Sequence, residues 1–193
     1  LGSSDIVRVK GASAALEAYG EQALPALTKG LKSGRQQVRN MCLGMLAARR
    51  VDGALDGIVA MMRADPEVGL RAAASEALVG FDRPMVRRAL LETAWRDKDD
   101  RVKASAVRSL QRVATVEEVP ALIDLINILP PDSDARKGVF EALRRATGQR
   151  FASDGALWTG WWDSGGGRET IGEQIQVAIQ KRFAEEARKS QGR

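Results

Sequence analysis

Four nine-residue segments align without gaps: VRNMCLGML (38–46), LRAAASEAL (70–78), VKASAVRSL (102–110) and ARKGVFEAL (135–143). Their final leucines, Leu46, Leu78, Leu110 and Leu143, are 32, 32 and 33 residues apart. A fixed period of this size leaves few architectures open, because each repeat must be one supersecondary unit that stacks on its neighbours. Within each segment the apolar or small residues occupy the first, fifth, eighth and ninth places, the stripe of a helix with one buried face. A second apolar column precedes it at the same interval: Ala26-Leu27, Ile58-Val59, Leu90-Leu91 and Leu122-Ile123. The extra residue of the last unit therefore falls after Ile123, at Pro130-Pro131, where a loop tolerates it.

Two helices per repeat account for both columns. The first helices are predicted near 21–32, 52–63, 84–96 and 117–129, the second near 35–49, 66–80, 99–114 and 133–147, with an amphipathic leading helix near 5–19. Pro66 after Asp65 and Pro84 after Asp82 read as first-turn prolines. The expected fold is all-α, a solenoid or superhelix of about four to five helix pairs, none able to bury enough surface alone. An Ala- and Leu-rich apolar share with only 5% aromatics agrees with close-packed helices.

The pattern resembles the bacterial HEAT-repeat family, in particular its short PBS-lyase-type subclass. In that family an Asp in the turn between helices is followed six residues later by a basic residue. Asp65 with Arg71 and Asp97 with Lys103 match; Ser33 before Arg39 and Pro130 before Arg136 depart from it. The resemblance implies a structural ladder tying each turn to its neighbour by charge-assisted hydrogen bonds. A basic stripe for an anionic ligand is the other reading.

Beyond residue 147 the period stops. The run TGQRFASDGALWTGWW resembles the tail that closes arrays of this type, and Phe151, Trp158, Trp161 and Trp162 are expected to cap the open face of repeat four. A stacking platform for a base, sugar or peptide is the alternative. The domain reading is thus a repeat array over 1–150, a Trp-rich cap over 151–164, and a glycine hinge with a terminal amphipathic helix over 165–193. Gly165, Gly166 and Gly167 form the hinge, and Ile171, Ile175, Ile179 and Phe183 carry the apolar stripe of the helix. That stripe would dock back on the array or enter a groove of another subunit, which would give an oligomer.

The chain contains no histidine and one cysteine, Cys42. This removes the commonest general base, the usual partner of a nucleophilic Ser or Cys, and the commonest metal ligand. No Walker, dinucleotide or G-x-S-x-G signature occurs. No catalytic residue, cofactor or metal site is assigned, and the chain is read as no enzyme. The net charge of +5 permits a polyanionic partner without requiring one. The expected function is a scaffold or adaptor for another protein or for subunits of a complex. Its candidate contacts are Arg108, Arg112, Lys137, Arg144 and Arg145, together with the terminal apolar stripe. A nucleic-acid-binding protein resembling the HEAT-like alkylpurine DNA glycosylases is an alternative, though nucleic acid is not favoured; a bilin lyase or chaperone is another. No apolar run approaches the length of a membrane span. The chain is therefore expected to be soluble, and cytoplasmic or, behind a removed leader, periplasmic.

Overall fold

The computed structural model describes residues 20–81, 83–168, 170–172 and 176. The expected leading helix near 5–19, Asp82, and Ile175, Ile179 and Phe183 lie outside the described residues. The fold is an all-α solenoid of helix pairs, with no strand among the described residues. The first helices are α1 (Leu24–Gly30), α3 (Leu55–Ala64), α5 (Pro84–Arg96) and α7 (Val119–Ile128). Each second helix follows its partner: α2 (Gln36–Arg49), α4 (Val68–Ala77), α6 (Asp100–Val113) and α8 (Asp134–Thr147). A ninth helix, α9 (Gly155–Asp163), carries the tryptophans. The chain divides into two compact units, Leu1–Leu110 and Gln111–Arg193, so the division falls within α6.

The repeat columns are the core. Leu46, Leu78, Leu110 and Leu143 are all inaccessible to solvent, as are Ile58, Leu90 and Leu122 of the preceding helices. Small residues let the second helices of the first unit approach closely. Ser105 Oγ donates to the Ala72 carbonyl at 3.0 Å, and Ser109 Oγ to the Ser75 carbonyl at 2.9 Å. Helix starts follow local chemistry. Thr115 and Glu118 form a capping box ahead of α7, with the Thr115 amide 2.8 Å from Glu118 Oε2. Pro84 opens α5. Pro66, by contrast, precedes the helix it was expected to open, because Glu67 is the N-cap and α4 begins at Val68.

A ladder of arginine forks joins the turns of the first unit. Arg39 places Nε and Nη2 on Asp65 Oδ2 and Oδ1 at 2.7 and 3.0 Å, while its Nη1 donates to the Ser33 carbonyl at 2.9 Å. One repeat on, Arg71 does the same with Asp97 at 2.8 and 3.0 Å and with the Asp65 carbonyl at 2.9 Å. Each Asp also accepts the amide two residues ahead, Glu67 or Asp99, at 2.9 Å. So the six-residue spacing joins the Arg to a backbone carbonyl, and its carboxylate partner stands 26 residues further along. Ser33 is consequently no defect, since any residue offers the carbonyl. Lys103 was expected to extend this ladder. Its ammonium instead lies 3.2 Å from Asp100, as suits a single-headed cation that cannot fork.

In the second unit α9 packs on α7, and the aromatic residues gather there. Trp158 is fully buried, with Phe151 edge-on at 5.1 Å and Trp161 at 6.1 Å. Trp162 adds to the cluster beside Trp161 at 6.2 Å. Arg144 ties the cluster's approach to α8 by donating from Nη1 to the Phe151 carbonyl at 3.0 Å. The glycine run that follows is not a free hinge. Gly165 turns the chain at a φ of 98°, which side-chain-bearing residues resist. Gly166 and Gly167 are buried and helical, and a Cβ on either would overlap the indole of Trp161 or Trp162.

Three outcomes follow from this packing. Leu78→Ala or Leu110→Ala should lower the unfolding free energy by about 2–5 kcal/mol in urea titrations; a loss under roughly 0.5 kcal/mol at both sites would contradict the buried register. Gly167→Val should cost about 1–3 kcal/mol through overpacking against Trp162, and a thermal melt at the native temperature would refute the close approach.

The third concerns acid. Burial pushes the Asp97 carboxyl up, but the Arg71 guanidinium and the Asp99 amide outweigh it and hold the group below its ordinary value. A carboxyl more acidic in the folded state adds stability above pH about 4, which is lost as pH falls through that value and below. Asp97→Asn should therefore flatten the acid limb of the stability curve. At pH 7 it should cost on the order of 2–3 kcal/mol, below the range for fully buried pairs because Arg71 keeps some exposure. An unchanged acid limb would show that the fork carries no stability.

Candidate functional site

The basic residues singled out from the sequence divide between the units. Arg108 belongs to the first; it is exposed, 3.5 Å from Glu76. Arg112, Lys137, Arg144 and Arg145 belong to the second. Arg112 and Arg145 are exposed, and Lys137 lies 3.9 Å from Asp134. Arg144 is committed to Phe151 and, at 2.7 Å, to Glu141. Ile171 is exposed, while Trp161 and Trp162 are half-buried.

Several carboxylates are held by neighbouring cations. Asp65 and Asp97 hold arginines. Asp99 is brought to about 2 by the Arg101 guanidinium, with burial opposing and the Arg101 amide assisting. The Glu141 carboxyl is held below the usual range by the Arg144 hydrogen bond. Cys42 is buried, and burial pushes its thiol up, away from the reactive thiolate. Among the described residues no group of three or more Cys, Asp or Glu side chains is placed to hold a metal ion. No helix among them is long and apolar enough to cross a membrane.

What the first unit does present is a cleft beside α5. Arg63, Glu92, Thr93, Arg96 and Asp97 line a space of about 210 Å³, open to solvent. It adjoins a second of about 280 Å³, to which Ala64, Arg71 and Lys98 also contribute. Glu92 bridges the two exposed arginines, with Oε2 2.7 Å from Arg63 and Oε1 3.7 Å from Arg96. On the helix that forms one wall, Met85, Arg88, Glu92, Trp95 and Arg96 fall within about 100° of one another around the axis. Trp95 is 47% exposed and Met85 44%.

Helix chemistry explains part of this. Arg63 and Arg96 lie in the last turns of α3 and α5, where the backbone dipole favours cations. It does not explain an exposed indole on the same face of α5. Sequence reasoning passed over this face, although the signal was there. At the register of Trp95 the neighbouring repeats carry Leu31, Arg63 and Asn127, so the tryptophan is peculiar to the third repeat and serves no shared column.

No curated protein matches the chain. Residues 55–144, which run from the start of α3 into α8, match the family model for HEAT repeats. The paired helices, the buried 32-residue columns and the turn ladder already described agree with that similarity to HEAT repeats over the matched residues.

Proposed function

We propose that the chain is a non-catalytic scaffold or adaptor whose repeats hold another protein, or subunits of a larger complex. The observation that carries this reading is the exposed Trp95, on the face of α5 that also carries Arg88 and Arg96, the latter lining an open cleft. Large aromatics and Arg are the residue types that dominate binding energy at protein interfaces. The absence of histidine from the sequence and the commitment of Asp65, Asp97 and Glu141 to arginines support a binding role over acid–base chemistry.

The finer assignment, to the short PBS-lyase-type repeats of bacteria, rests on the turn Asp and the basic residue six positions on, at 65–71 and 97–103, and on the Trp-rich closing segment. The basic residues Arg108, Arg112, Lys137, Arg144 and Arg145 and the terminal stripe of Ile171, Ile175, Ile179 and Phe183 remain proposed as further contacts, the stripe also as an oligomer interface.

Affinity purification of the full chain from its source cell, read by quantitative mass spectrometry, tests the reading. A defined set of proteins should co-purify, and Trp95→Ala should deplete it. Retention on a DNA column that weakens steeply with salt, with no protein enriched, would favour the nucleic-acid alternative. Excision of alkylated bases by the pure protein, abolished by changing a single carboxylate, would overturn the non-catalytic assignment.

A further inference from the structure

We infer that the outer face of α5, with the cleft it shares with α3, docks an acidic segment of a partner protein that also presents an apolar side chain. This rests on the scaffold reading and names the chemistry of what is scaffolded. The charge balance is local and one-sided. Arg63, Arg96 and Lys98 line the cleft and Arg88 shares the helix face of Glu92; of the carboxylates lining the cleft, Asp65 and Asp97 are neutralised by the forks of Arg39 and Arg71, which leaves Glu92. Arg88 and Lys98 have no carboxylate partner among the described residues.

A ligand carboxylate entering the cleft can take over Arg63 or Arg96 from Glu92. All three side chains are at least 41% exposed, so the exchange leaves no buried charge stranded. Trp95 and Met85 supply what the cations lack, an apolar area that gains by leaving water. The two features together specify a mixed motif, acidic groups flanking one large apolar side chain.

A nucleic-acid strand fits less well. Glu92 stands in the middle of the face and would repel a phosphate backbone. A strand is tracked by a continuous basic groove with several stacking aromatics, whereas here one indole stands among cations gathered at two helix ends.

The proposal can be tested without knowing the partner. A phage-displayed library of random dodecapeptides is selected on the full chain at low salt, and the strongest peptide is synthesised for titration. Enrichment should favour Asp and Glu around a Leu, Phe or Trp. Binding should shift the tryptophan emission to the blue, and Trp95→Phe should remove that shift. Trp95→Ala and Arg96→Glu should each weaken binding by about tenfold or more, as for a central anchor and a rim charge brought to repulsion. Arg150→Glu, in the second unit, should leave it unchanged. All of these positions are exposed, and circular dichroism would verify that each variant folds.

A neutral or basic consensus, a peptide indifferent to both Trp95→Ala and Arg96→Glu, a single-stranded oligonucleotide that displaces the peptide, or self-association abolished by Trp95→Ala would each overturn the proposal. If selected peptides bind elsewhere, the scaffold reading survives and this surface does not. If the library yields no binder and no protein co-purifies from the cell, both fail.

Discussion

A guanidinium that forks onto a carboxylate 26 residues away has no such partner inside its own helix pair. Arg39 and Arg71 each spend two donors on the next repeat's Asp and a third on the carbonyl of their own turn. Each fork therefore measures the offset between consecutive turns in the first unit, with the planar geometry of arginine as the gauge. The apolar columns make stacking favourable but tolerate sliding, since leucines pack against leucines in more than one register. The forks do not, because a slip would leave Asp65 or Asp97 desolvated beside an unmatched partner. Packing supplies the adhesion and the ladder supplies the register.

This division of labour explains what could be read in advance. The helices were legible because a buried stripe is a statement about side-chain types at fixed spacing, and the columns from Leu46 to Leu143 state it four times over. The ladder was legible only as a spacing. Its real contacts run from Arg71 to a backbone carbonyl, which has no letter in the sequence, and to an Asp in another repeat. Ser33 looked like a departure for the same reason. The glycine run misled differently: three missing side chains read as freedom, whereas Gly166 and Gly167 are small because the indoles of Trp161 and Trp162 lie against them.

The site was the least legible part, and the reason is instructive. In a repeat protein the buried positions are alike in every unit, because each solves the same stacking problem. They can say how the chain folds and nothing about what it binds. Arg108, Arg112, Lys137, Arg144 and Arg145 were drawn from the second helices on the strength of charge alone. Charge on a helix surface is ordinary, and Arg144 proved to be holding Phe151 and Glu141.

Exposed positions that differ between units carry more information, because no shared packing demand accounts for them. At the register where the neighbouring repeats carry a leucine, an arginine and an asparagine, the third repeat keeps Trp95 in water at a standing hydrophobic cost. Arginines in the last turns of α3 and α5 would be retained for the helix dipole even on a surface that binds nothing. A half-exposed indole would not, and it lies on the same helix face as Arg88, Glu92 and Arg96, the last two of which line the cleft. Function is thus to be sought in the residue that the fold does not need.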